Sequence, residues 1–127
     1  MTAREAEIIE LIRKEVKPAL GCTEPIAVAL AVAKAMEIAG QHCHPSDTDW
    51  RVKEGYSLLI EVSGNILKNG MGVGIPGTGM VGLHIAAALG AVCGKSCYGL
   101  EVLHDLDAAS IARAKEMVET ELVTVRL

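Results

Sequence analysis

Cys22 is the residue whose position most favours chemistry. It stands directly before a predicted helix start at Thr23, Glu24 and Pro25, where unpaired backbone N–H groups and the helix dipole stabilise a thiolate. Such a thiolate could act as a nucleophile or a metal ligand, although cysteine is also a small hydrophobic residue that packs without any such role. Glu24 is a weak candidate for a general base, and the favoured interpretation is a first-turn acid that suits the helix dipole.

A second candidate site is the glycine-rich segment 63–79. Seven of the thirteen glycines lie between Gly64 and Gly82, and glycine at that density indicates positive φ or a close approach of the backbone to another group. Backbone N–H groups and a lysine suit the carboxylate of an amino acid ligand, although Asn-Gly pairs are also strong turn signals. We predict a substrate-binding site from these residues: Ser63, Asn65, Lys68, Asn69, Gly72, Gly74, Gly77 and Gly79.

Two other motifs are weaker. Residues 72–77 match the G-x-G-x-x-G fingerprint of dinucleotide sites, but other glycines interrupt the strand that should run directly into the first of these. Zinc could be held by His42-Cys43-His44 together with Cys93 and Cys97. Neither group has the usual ligand spacing, so a polar loop and a helix end are the favoured interpretations.

Composition restricts the partners. A net charge of -4 provides no basic surface for nucleic acid or an anionic membrane, and an aromatic content of 2% leaves almost no platform for stacked bases. Four cysteines are too few for a disulfide-rich secreted domain. No signal peptide pattern and no apolar run of about 20 residues occurs. We expect a cytoplasmic protein that binds a small molecule or another protein.

The helices and strands that must position these residues can be predicted from the sequence pattern. Together they indicate an α+β fold, in which small-residue helices pack with a few short strands. Thr2 and Glu5 form a capping box before an amphipathic helix that should end at Pro18. The remaining predicted elements are a helix over 23–39, a surface connection over 41–54, a strand over 56–62, the glycine-rich segment, a helix over 80–92, a strand over 100–103, a helix over 107–119 with Ile111, Ala114, Val118 and Leu122 on one face, and a strand over 122–127.

Three stretches together resemble a known family: Lys17–Pro25, Ser63–Asn65 and Lys68–Gly79. They are similar to the L-cysteine desulfidases, which are related to the α chain of iron–sulfur L-serine dehydratases. The resemblance continues through Gly99–Leu103 nearly to the last residue. It implies that residues 1–127 are a single N-terminal domain, or an incomplete part, of a longer enzyme.

The resemblance also implies an activity. Such an enzyme is a lyase of L-cysteine or L-serine catabolism, which performs β-elimination with a [4Fe-4S] cluster held by three cysteines. Cys22 matches the first cluster ligand, and the other two ligands would lie outside this chain, which alone should be inactive. The expected partners are a small amino acid substrate, the remainder of the enzyme and, as a further expectation, a second copy.

Two alternatives to the lyase stay open. One is a non-catalytic binding module in which the glycine-rich segment holds a phosphate or nucleotide. The other is an interaction fragment that binds no ligand and associates through its terminal strand.

Overall fold

The computed structural model describes residues 1–17, 21–39 and 57–127. These form five α-helices, one 3-10 helix and two strands. In chain order they are α1 (Ala3–Glu15), α2 (Thr23–Ala39), β1 (Leu58–Glu61), α3 (Gly64–Gly70), α4 (Leu83–Cys93), the 3-10 helix (Ser96–Glu101), α5 (Ala108–Glu119) and β2 (Val123–Arg126). No helix in this part of the chain has the length and apolar character that crossing a bilayer requires.

Helix α4 is the centre of the hydrophobic core. Every one of its residues except His84 is buried, and it packs against α2 on one side and α5 on another. Gly90 allows the close approach of α2, because a Cβ at this position would lie 2.9 Å from the Cα of Ala29. The predicted burial of the two small-residue helices is thereby confirmed.

The two strands form a parallel pair. Leu58 is opposite Val123 and Glu61 is opposite Arg126, and the ion pair between the last two side chains closes the end of the ladder at 3.1 Å. Since parallel neighbours need a long crossover connection, the chain passes through α3, α4 and α5 between them. The α+β class predicted from the sequence is confirmed.

Two local predictions were wrong. Residues 100–103 are not a strand: they form the end of the 3-10 helix and the turn after it, directly after Gly99, which takes a φ of 57°. Residues 64–70 of the glycine-rich segment form a helix, which Ser63 caps by accepting the N–H of Ile66. The face predicted for α5 is confirmed, since Ala114 is buried and Ile111, Val118 and Leu122 pack against the core. The predicted connection over 41–54 lies outside the described residues.

Helix α1 forms as predicted but contributes nothing to this core. Its capping box is present, with Thr2 and Glu5 each accepting the other's backbone N–H. None of its residues is buried. No described residue therefore buries the apolar face that Ile8, Ile9 and Ile12 form on this helix.

Candidate functional site

Three segments that are far apart in the sequence meet beside the glycine-rich turn at residues 76–79. A Cβ on Gly21 would lie 3.5 Å from Cδ of Pro76, and one on Gly77 would lie 3.6 Å from Cδ2 of Leu106. The residues directly before α2, which include Cys22, therefore lie beside this segment, and so does the turn before α5. The sequence predicted Cys22 and the glycine-rich segment as two separate candidate sites. In the structure Gly21, the residue before Cys22, lies beside Pro76 of that segment.

Backbone hydrogen bonds hold the turn in one shape. Ile75 donates to the carbonyl of Met80 at 3.0 Å, and Gly82 donates to the carbonyl of Val73 at 2.9 Å. Inside the turn, the buried hydroxyl of Thr78 donates to the carbonyl of Ile75 at 2.7 Å and accepts the N–H of Met80 at 3.0 Å. Thr78 thus fixes the turn, a role that the sequence analysis missed although its place between two glycines indicates a turn.

Gly77 and Gly79 provide the unused donors of this site. Both are exposed, with φ values of 83° and 68°. No acceptor among the described residues takes their N–H groups. Successive backbone N–H groups in a turn can form a concave binding site for an anion, so free donors at Gly77 and Gly79 suit a carboxylate or phosphate oxygen.

A depression of about 220 Å³ lies next to the turn. Four apolar residues and His104 line it, namely Ile75, Pro76, Leu103, Leu106 and His104. This volume is below the roughly 300 to 1,000 Å³ of pockets for larger ligands. The depression fits the short apolar body of a small metabolite.

His104, which lines the depression, belongs to a group of three charged or titratable side chains. Lys95 Nζ lies 2.7 Å from Asp105 Oδ2, and His104 Nδ1 lies 3.4 Å from Asp105 Oδ1. The hydrogen bond from Lys95 holds the pKa of the Asp105 carboxyl below its usual value, and the same bond raises the pKa of Lys95. Sequence reasoning missed this group because no motif contains it.

The cysteines occupy different environments. Cys22 is exposed, and its carbonyl accepts the N–H of Ile26, the first bond of α2. Glu24 is half-buried in the first turn of α2, where the sequence placed it. Cys93 is buried, and burial raises its pKa to about 11. Its thiol donates to the carbonyl of Leu89 at 3.4 Å instead of binding a ligand.

No group of three metal-ligating side chains occurs within residues 1–17, 21–39 and 57–127. These residues do not form a ligand set for a [4Fe-4S] cluster, and the ligand role of Cys22 stays a prediction. Cys97 is exposed, while His42, Cys43 and His44 lie outside the described residues.

The predicted substrate-binding residues divide between two places. Gly77 and Gly79 are in the turn, and Gly72 and Gly74 precede it along an exposed stretch. The other four, Ser63, Asn65, Lys68 and Asn69, are at the start of α3 and along it. Ser63 lines a different groove, between α2 and β1. The predicted set therefore extends from the start of α3 to the turn, and its role in binding stays a prediction.

The chain is similar to proteins named UPF0597 protein. It is 52% identical to one from Parabacteroides distasonis over 126 residues, 53% to one from Phocaeicola vulgatus over 121 and 51% to one from Shewanella halifaxensis over 117. These matches cover 92% to 99% of this chain but only 25% to 26% of the relatives. The chain spans about a quarter of the length of these curated relatives. No family model and no solved structure matches it.

These relatives overturn the family resemblance drawn from the sequence. Proteins that match nearly the whole chain at about half identity are named UPF0597 proteins, not L-cysteine desulfidases. The assignment to that family was wrong, and so was the iron–sulfur β-elimination activity that depended on it. Shared glycine-rich turns and helix starts carry the same backbone requirements in many proteins, which is why the motifs misled the assignment.

Proposed function

We propose that this chain binds a small metabolite through its carboxylate or phosphate group, held by the turn at residues 76–79. The N–H groups of Gly77 and Gly79 bind the anionic oxygens, and the depression beside Leu106 accepts the apolar body. His104 stands at the rim, where its ring contacts the ligand. Amino acids belong to this class of ligand.

The observation that carries this proposal is the pair of N–H groups at the exposed Gly77 and Gly79 with no described acceptor. Each unpaired amide is a donor that gains a hydrogen bond only from solvent or from a ligand. The hydroxyl of Thr78 bonds to Ile75 and Met80 on the two sides of these glycines, so a turn that is already ordered loses little conformational entropy when an anion binds.

Titration of the 15N-labelled protein tests the proposal at the donors themselves. Propionate and propionamide have nearly the same shape, but only propionate has a charge. We expect propionate to move the amide resonances of Gly77 and Gly79 and the methyl resonances of Leu106, with propionamide having no such effect. Inorganic phosphate, which has no apolar body, should move the two amides alone.

A matched pair of variants controls this titration. Gly79→Ala changes the turn and should abolish the propionate shifts, whereas Gly72→Ala adds the same methyl group in open space outside the turn. Equal responses to propionate and propionamide, or shifts centred on α3, would show that the turn is not the anion site.

Chemical conversion of the bound metabolite stays a prediction from the sequence. Cys22 is the side chain that the sequence marks for it, and the contact between Gly21 and Pro76 supports a place beside the ligand.

A further inference from the structure

Helix α1 presents an apolar face that the described chain does not cover. Ile8, Leu11 and Ile12 are 48%, 58% and 53% exposed. They lie on one side of the helix with Ile9, since residues three and four apart share a face. A cluster of this size on a single helix is typical of a surface that binds another polypeptide.

A second uncovered surface is the groove between α2 and β1. It has a volume of about 480 Å³, and on the α2 side Val28 and Val32 line it together with Ala27, Ala31 and Ala35. Such small side chains allow another helix to approach closely. On the β1 side Leu59 is 54% exposed.

The sheet lies beside this groove. In the described ranges β1 pairs only with β2, and no described strand pairs with its other edge. Parallel strands are usually buried on both faces and belong to larger sheets. An exposed edge next to an apolar groove is a site for strand addition by another polypeptide.

The length of the relatives indicates what covers these surfaces. About three quarters of each matched protein lies outside the segment similar to this chain. Since that segment is about 50% identical, we expect it to fold in the same way in the longer proteins. Further residues of the same chain are present there to cover its apolar faces.

We propose that the apolar face of α1 and the α2–β1 groove dock the polypeptide that corresponds to the remaining three quarters of these relatives. That polypeptide places a helix against the alanines of α2 and a strand on the open edge of β1. This inference is independent of the anion site, which lies beside the turn at residues 76–79.

A chimera tests this occupant directly. The segment of the Parabacteroides distasonis protein that matches this chain is replaced by residues 1–127, with the parent protein as the folding reference. Hydrogen–deuterium exchange is then measured for peptides from α1 and β1 in the chimera and in the isolated chain. We expect exchange in the chimera to be slower by roughly 100-fold, because opening these elements then requires undocking.

Two double variants identify the docking face. Ile9→Asp with Ile12→Asp should return the exchange of α1 in the chimera to the rate of the isolated chain. Glu7→Lys with Lys14→Glu changes the opposite, polar side of the same helix and should leave the protection intact. Both variants keep the capping box of α1, and circular dichroism of each isolated chain checks that α1 is still helical.

Three results would overturn the proposal. In the first, α1 and β1 exchange as fast in the chimera as in the isolated chain. In the second, the isolated chain elutes as a dimer in which α1 is already protected, which makes a second copy the occupant. In the third, the chimera fails to fold although the parent protein folds, which means that these surfaces do not accept that polypeptide.

Discussion

Gly79 tests the proposed turn at the scale of one residue. It has a φ of 68°, and a Cβ there would meet open space, so the only cost of alanine is the left-handed backbone. That cost is about 1 to 2 kcal/mol. We expect Gly79→Ala to lower the free energy of unfolding by about this amount in urea denaturation.

Gly72 is the matched control for this substitution. A Cβ there also meets open space, but its φ is outside the left-handed range. Gly72→Ala should therefore be neutral, within about 0.5 kcal/mol. Equal losses in the two variants would contradict the argument from φ.

The ion pair between Lys95 and Asp105 predicts a pH dependence. The pKa of Asp105 is lowered from 3.8 and that of Lys95 is raised from 10.5, each by their mutual hydrogen bond. The lowered pKa of the carboxyl stabilises the folded state above pH 3.8, and this stabilisation is lost as the pH falls. The raised pKa of the lysine stabilises the folded state below pH 10.5, and this stabilisation is lost as the pH rises further. The ion pair therefore stabilises the folded state between these two limits.

Carboxyl NMR titration checks this pair. In Lys95→Met the pKa of Asp105 should rise towards its ordinary value, since the partner that favours the charged form is gone. Lys14→Met, on the exposed α1, should leave it unchanged. An Asp105 titration that is the same in Lys95→Met and the native chain would refute the assignment.

Cys93 should be chemically inert in the folded protein. Burial raises its pKa to about 11, and only the thiolate reacts with iodoacetamide. At pH 8 we expect Cys93 to be alkylated roughly 100-fold more slowly than Cys22 or Cys97, which are exposed. Mass spectrometry of peptides gives each rate separately, and in denaturant the difference should disappear.

At the scale of elements, the contact between α2 and α4 depends on Gly90. A Cβ there would lie 2.9 Å from Cα and 3.0 Å from the carbonyl carbon of Ala29. These are backbone atoms that cannot rotate away. Gly90→Ala should therefore lower the free energy of unfolding by about 3 kcal/mol, although alanine otherwise favours a helix by about 1 kcal/mol.

Gly64→Ala is the corresponding control in α3. A Cβ at Gly64 would lie at an ordinary contact distance of 3.8 Å from Leu127. We expect this variant to keep or slightly raise the urea midpoint. If Gly90→Ala also keeps its midpoint, the close approach of α2 and α4 is not as the structure describes it.

The predictability of the elements follows from how local their causes are. The capping box of Thr2 and Glu5 is complete within four residues, and it formed as predicted. The apolar run of α4 was predictable because such a run is stable only when it is buried in the core. By contrast, the strand predicted over 100–103 did not form, and Gly99 directly before it has a backbone φ of 57° that no sequence period shows.

The candidate site was predictable only in part. Cys22 and Gly77 were identified from local motifs, because helix starts and glycine turns have local signals. Their proximity depends on contacts between segments more than 50 residues apart, and the place of His104 beside Pro76 depends on contacts across 28 residues. Those contacts depend on tertiary packing, which a motif does not encode.

At the scale of the whole molecule, stability and docking are properties of different regions. The core consists of α2, α4, α5 and residues that pack on them, while α1 buries no residue. Removal of residues 1–15 should thus leave the melting temperature of the isolated chain within about 2 °C, since exposed residues change stability by about 0.5 kcal/mol or less. Differential scanning calorimetry measures this directly.

Leu89→Ala should lose stability, in contrast to the removal of residues 1–15. Leu89 is fully buried in α4, so its truncation should cost about 2 to 5 kcal/mol and lower the melting temperature by well over 5 °C.

The same removal of residues 1–15 in the chimera with the Parabacteroides distasonis protein should destabilise it, because the apolar face of α1 is then buried. A large loss already in the isolated chain would mean that α1 belongs to the core of this chain itself.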